Sequence, residues 1–300
     1  MTTHTTNTRL RHDYDAVFRE WGEEFSTALS TIGLVKTSDT GQIDWATVLR
    51  PAVNTEAGYE IWRFNDAAQS TLPIFIRFGF GTGSVATSPK ITFRIGTATN
   101  GAGVINANDE GTDRNLNSYA GSSADTARMS YFVLRNGFLG IVWKISASTT
   151  DLGLGFLVVA RTVDSNGDAT DEAHTYIAYA NGIQAAPQHG RVYNKVLGWG
   201  TYWNSAVLCS VGATTFYNNS FANQSGLQQA IIPAWSVPTY RLQSNLLVVY
   251  NSLARGTAFT ATPLGTTERT YLCIGNSMGL PVTSSALSGG TAPVMAMIWE

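Results

Sequence analysis

Tyr131-Phe132-Val133-Leu134-Arg135-Asn136-Gly137-Phe138-Leu139-Gly140-Ile141-Val142-Trp143-Lys144-Ile145 is two apolar runs divided by one Asn-Gly pair. Asn-Gly readily takes the two positive φ angles of a type I′ turn, so the stretch predicts a two-residue β-hairpin. The same pattern recurs in both directions. Toward the C-terminus, Phe156 to Val163 leads through Asp164-Ser165-Asn166-Gly167-Asp168 into a return strand near His174 to Ala180. Toward the N-terminus, Ile74 to Phe80 and Ile91 to Ile95 flank the loop GTGSVATSP. Further strand-like runs at Ala206 to Val211, Leu246 to Tyr250, Thr270 to Ile274 and Val294 to Trp299 are separated by Gly, Asn, Ser and Pro clusters. With no amphipathic helix between them, these strands predict a mainly β fold. Antiparallel sheets packed as a sandwich or jelly roll would form a body over residues 56–300, as one large or two small β-domains.

The one convincing helix precedes that body. Between Asp13 and Ile32, apolar residues Tyr14, Val17, Phe18, Trp21, Phe25, Ala28, Leu29 and Ile32 keep to one stripe, with Asp13 as expected N-cap and Gly33 as expected stop. Tyr14, Phe18, Trp21, Phe25, Ala28 and Ile32 also step by four and three in turn, the spacing of a heptad seam. Two arrangements follow: a coiled coil with other copies, or a stripe packed on the chain's own β-body. Gly22 weakens such a helix by about 1 kcal/mol relative to Ala, so a partner surface is needed in either case. Residues 34–58 read as a connector, and residues 1–55 as a helical attachment segment.

Charge divides along the same line. The first 55 residues hold 12 of the 40 Asp, Glu, Lys and Arg of this 300-residue chain. A β-body poor in charge and rich in Ser, Thr, Asn, Gly and aromatics suits a surface covered by neighbours. A net charge of -2 and the lack of any basic run give no general attraction to phosphate backbones, so nucleic acid is not an expected partner. No apolar run approaches the roughly 20 residues that cross a bilayer, and MTTHTTNTRLRHDYDA lacks the apolar stretch of a secretory signal. Synthesis and folding in a cytosol are therefore expected, with Cys209 and Cys273 as buried thiols in VLCSV and YLCIG.

Catalytic patterns are weak. Gly275-Asn276-Ser277-Met278-Gly279 fits the G-x-S-x-G elbow, but the triad histidine of that fold follows the serine, whereas His4, His12, His174 and His189 all precede Ser277. Asp164, Asn166, Asp168, Asp171 and Glu172 crowd oxygen ligands as a Ca²⁺ loop would, yet the glycine is fourth instead of sixth, which reads as a solvated hairpin tip. Glu172, His174 and His189 lack zinc-ligand spacing. Gly79-Phe80-Gly81-Thr82-Gly83 misses the dinucleotide fingerprint. The expectation is a protein without cofactor, metal or catalytic residues. One aromatic cluster, Trp199, Tyr202 and Trp203, would stack on sugar rings or form an interface if exposed, and would be core if buried.

Gly58-Tyr59-Glu60-Ile61-Trp62-Arg63-Phe64-Asn65-Asp66, running into LPIFIRFGFGTGS and ITFRIGTATNGAGVI, resembles virion structural proteins of tailed bacteriophages, particularly tail and baseplate components. The likeness spans about Leu34 to Gly103 and loosens beyond into shared composition. It implies a structural protein of the particle, made in the host bacterial cytoplasm and joined to other tail proteins at the tail tip. A head decoration protein and a receptor- or glycan-binding module are the alternatives, with a virion-borne hydrolase behind them. Threefold or sixfold tail symmetry, together with the heptad-like stripe, implies a homotrimer.

Overall fold

The computed structural model describes residues 1–8, 11–106, 114–117, 128–135, 137–144, 154–161, 174–180, 189–194, 198–200, 229–231, 234–237, 239–242, 246–250, 257–261, 268–275 and 293–299. It is mainly β, with antiparallel sheets and one α-helix near the N-terminus. Strands Arg128–Arg135 and Phe138–Lys144 form the expected hairpin, Arg135 opposite Phe138, with Gly137 at φ 70° in the turn. Asn136 lies outside the described residues. The hairpin is the heart of a seven-stranded sheet that continues through Leu154–Arg161, His174–Ala180 and His189–Asn194 to Gly198–Gly200.

A second, five-stranded sheet is built on Phe75–Thr82 and Pro89–Gly96, paired from Phe75 opposite Gly96 to Thr82 opposite Pro89. Glu56–Arg63 and Val35–Lys36 extend it on one side, and Arg114–Asn117 on the other. Its inward side chains Trp62, Ile76, Phe78, Phe80, Ile91 and Phe93 share one core with Phe132, Leu139, Ile141, Trp143, Leu157 and Val159 of the first sheet. Side chains alternate along a strand, so Phe138, Gly140 and Val142 belong to the opposite face of the first sheet, yet they too are buried. A β-carbon on Gly140 would fall 3.1 Å from the Met297 sulfur. Met297 belongs to strand Pro293–Ile298 of a third sheet, which also contains Gln229–Ile231, Leu246–Tyr250, Arg269–Gly275 and Ala258–Ala261. Burial on both faces explains why the central strands read as continuous apolar runs and not as alternation.

Helix α1, Asp15–Ile32, lies in the core between the first two sheets. Phe25 meets Phe78, Phe80, Phe132 and Trp143 at ring-centroid distances of 4.8–5.7 Å, all edge-on. Its N-cap is Tyr14, without a side-chain hydrogen bond, one residue beyond the expected Asp13. At the other end Gly33 stands at φ 102°; its N–H reaches the Ser30 carbonyl and the Leu34 N–H reaches that of Leu29, a Schellman stop.

The helical stripe is spent inside the chain: Phe18, Trp21, Phe25 and Ile32 are buried in its own core, and only Tyr14 stays on the surface. Packing on the chain's own β-body is the arrangement observed, and no seam is left for a coiled coil. Nor do residues 1–55 stand apart. Thr2–Thr8 forms an edge strand of the first sheet, each residue paired along Arg128–Arg135. Nothing apolar announces this strand in TTHTTNT; its β-branched threonines suit the extended backbone that Arg128–Arg135 templates.

Candidate interaction surface

Three buried polar hubs hold the frame. Glu60 sits on the inward period of its strand with Trp62, fully buried. Its Oε1 accepts from Ser26 Oγ at 3.0 Å, Lys36 Nζ at 2.7 Å and Trp45 Nε1 at 3.0 Å, while Oε2 accepts from Trp62 Nε1 at 3.0 Å. One carboxylate thus ties helix, connector and second sheet together. Arg161, 2% exposed, pairs with Asp66 and donates to Leu72 O at 3.0 Å and Gln69 Oε1 at 2.9 Å; its guanidinium lies 5.0 Å from the Phe64 ring centre. Asp66 also accepts the Gly137 N–H at 3.1 Å, fixing the central hairpin turn to the second sheet. Burial pulls the Arg161 guanidinium below its ordinary value and Asp66 pushes it back. Asp39 accepts from Thr37, Thr99 and the Gly103 N–H; burial pushes its carboxyl up, but these hydrogen bonds hold it below the ordinary value.

The surface that stands out lies where α1 begins. Arg50 joins three segments there: its backbone N–H donates to Asp15 Oδ1 at 2.9 Å, and its guanidinium donates to the carbonyls of Ala86 and, at 3.4 Å, His12. The His12 N–H donates to Thr87 O at 3.0 Å and the Asn54 N–H to Gly83 O at 2.9 Å. Thr82 Oγ1 donates to Pro51 O at 3.0 Å. Each of these bonds is one or two residues from an exposed apolar side chain: Tyr14 at 73%, Leu49 at 66%, Val53 at 42% and Val85 at 40% exposure. Those four are most of the large exposed hydrophobics among the described residues. They ride on backbone clamped from several sides, so ordering them in an interface costs little conformational entropy.

Beneath this platform lies His12. Its ring is buried edge-on to Phe18 and Trp21, with centroids 5.1 and 5.8 Å away. Nε2 is 3.5 Å from Thr82 Oγ1, and Nδ1 has no hydrogen-bond partner. Burial, helped by the Arg50 charge, lowers the imidazole to about 4 against the smaller opposing effects of the Ser88 backbone and Asp13. The ring is neutral at pH 7.

Of the residues the sequence singled out, Tyr14 belongs to this platform, and Phe18, Trp21, Phe25 and Ile32 are buried in the common core along the length of α1. Trp199 lies on strand Gly198–Gly200, opposite Tyr193, at the far edge of the first sheet. Tyr202, Trp203, Asp164 to Glu172 and Ser277 lie outside the described residues, as does Cys209. Among the described residues no helix is long and apolar enough to cross a membrane, and no group of three or more His, Cys, Asp or Glu could hold a metal ion. Sequence reading missed Leu49, Val53 and Val85, which stand in turn-rich segments without period. Glu60 was findable: a carboxylate between Tyr59 and Trp62, on the same strand face as a core tryptophan, must have internal partners. The chain matches no model of a known protein family and no curated protein.

Proposed function

We propose that the protein is a non-catalytic structural component of a tailed-bacteriophage particle, joined at the tail tip or baseplate to neighbouring virion proteins. The observation that carries this reading is the platform of Tyr14, Leu49, Val53 and Val85 on backbone clamped by Arg50. Exposed apolar side chains gathered on a rigid, hydrogen-bonded surface are what a protein interface requires. The resemblance of the Leu34 to Gly103 region to phage virion proteins supplies the class of partner. The low charge of the body supports a covered surface. If three copies assemble, this platform or a sheet edge joins them, because the helical stripe is occupied. The test is incorporation: Tyr14→Ala with Leu49→Ser should leave the melting temperature of the isolated protein nearly unchanged, since Tyr14 caps α1 without a side-chain hydrogen bond, and lower its copy number in purified particles several-fold. Normal incorporation of that double variant would argue against the platform as the joint.

A second reading, a host receptor- or glycan-binding module, draws on the place of Trp199 on the terminal strand of the seven-stranded sheet. Glycan binding lost on Trp199→Ala, with the fold intact, would favour it.

A further inference from the structure

We propose that the turn between the short paired strands Ala98–Thr99 and Ile105–Asn106 is a self-modifying site: the Gly101 backbone nitrogen attacks the side-chain amide of Asn100 and converts it, through a succinimide, to an aspartyl or isoaspartyl residue. The sequence places the two reacting groups side by side, because in Asn-Gly the second residue carries no side chain to obstruct ring closure. The fold adds access. Asn100 and Gly101 are both exposed, Gly101 stands at φ 79°, and a β-carbon there would meet nothing within 4 Å. Gly137, the other described glycine that follows an asparagine, is buried against Arg161 instead.

Hydrogen bonds equip both reacting groups. The Gly101 N–H donates to Thr99 Oγ1 at 3.1 Å, and the Thr99 hydroxyl donates to Asp39 Oδ2, so nitrogen, hydroxyl and carboxylate form one relay. Asp39 is buried and is held in place by Thr37 and the Gly103 N–H as well. On the other side, Asn100 Oδ1 accepts the N–H groups of Ala102 at 2.9 Å and Val104 at 3.0 Å. These two donors polarise the amide and meet the negative charge that develops on Oδ1 as the tetrahedral centre forms. The Gly101 nitrogen lone pair makes the bond to Cγ and closes a five-membered ring, while its proton passes to the Thr99 oxygen and the Thr99 proton to Asp39. Collapse breaks the bond to Nδ2, which takes up that proton and leaves as ammonia. Water then opens the imide. Cleavage of the new C–N bond leaves an aspartyl residue, and cleavage of the original peptide bond an isoaspartyl one, so the sum consumes one water and releases one ammonia. The aspartyl product keeps both backbone donors. The isoaspartyl product adds a carbon to the main chain and displaces the Gly101 carbonyl, which accepts from the Thr40 N–H at 2.9 Å and hydroxyl at 3.3 Å.

Peptide mapping by mass spectrometry, which reads the amide-to-acid mass gain at position 100, tests the site on the full chain, native and urea-unfolded. Asn100 should convert roughly tenfold faster in the native chain; the gain is small for a positioned base because hydrogen bonds hold the Asp39 carboxyl below its ordinary value and make it a weak one. In the unfolded chain hydroxide takes the proton, so the rate rises about tenfold per pH unit. In the native chain Asp39 is already ionised, and the rise between about pH 6 and pH 8 should be clearly shallower. Thr99→Val cuts the relay and should return both rate and pH slope to those of the unfolded chain, while Thr99→Ser should keep the parent behaviour. The proposal is overturned if the native chain converts Asn100 no faster than the unfolded one, since the hydrogen bonds to Oδ1 would then protect the amide. It is overturned equally if rate and slope survive in Thr99→Val. Should Thr99→Val not fold, the native and unfolded rates and slopes of the parent decide alone.

Discussion

Trp45 rests on the backbone of Gly22: a β-carbon at Gly22 would fall only 1.9–2.5 Å from three atoms of the Trp45 six-membered ring. The glycine that weakens α1 locally is therefore a seat, and it brings the indole to Phe80, 4.9 Å away edge-on, and its Nε1 to Glu60. Gly22→Ala would raise helix propensity in an isolated peptide. In this chain it should destabilise by about 1–3 kcal/mol through overpacking, with a red-shifted tryptophan emission as Trp45 is displaced. Urea unfolding checks it; a gain in stability would mean that Trp45 can move aside without loss.

Glu60 and Lys36 should respond unequally. Glu60→Gln sets an amide NH₂ among donors and strands at least one buried indole N–H, at a cost of about 3 kcal/mol. Lys36→Met should cost clearly less, since the carboxylate keeps Ser26, Trp45 and Trp62 and the lysine is partly in water. Equal losses in chemical denaturation would show that the ion pair, and not the indole donors, holds the carboxylate.

Asp66→Ala removes the counter-ion of a buried guanidinium and the acceptor of the Gly137 turn N–H. Breaking such a pair from one side typically costs about 3–5 kcal/mol. Asp66→Ala with Arg161→Met should recover part of the loss, and a double-mutant cycle measures how much. Strictly additive losses would mean that the two side chains act independently.

These hubs mark what the sequence could and could not disclose. The Asn-Gly hairpin, the paired runs around GTGSVATSP and the strands near Thr270 and Val294 were legible because turn chemistry and apolar runs are local. The strand Thr2–Thr8 was not, since its pairing partner lies some 125 residues away and its own residues are polar. The helix was legible, but its destination was not: a stripe of Phe and Trp has the same period whether it faces a partner helix or a β-core. The platform was hidden for a related reason. Leu49, Val53 and Val85 are isolated apolar residues without period, and only the hydrogen bonds of Arg50, His12, Asn54 and Thr82 draw their segments together.

Stability should depend on pH in two separable windows. His12 has a lowered value in the fold, so the unfolded chain binds its proton first; its contribution is complete above 6.5 and is lost as pH falls toward about 4. The full loss is on the order of 3 kcal/mol, at about 1.4 kcal/mol for each pH unit of displacement. Asp39 is also lowered in the fold, from 3.8, so its contribution is present above that value and disappears only at more acid pH. Denaturant midpoints of the parent and His12→Phe between pH 7 and 4.5 should converge in slope only if the first window belongs to another group.

Whether Tyr14 and Leu49 are covered in an assembled particle tests the central claim most directly. A cryo-electron-microscopy reconstruction of the phage particle should place the chain at the tail tip or baseplate, with Tyr14, Leu49, Val53 and Val85 packed against another virion protein or a neighbouring copy. A particle that lacks the chain, or that holds it with this platform facing solvent, would contradict the account.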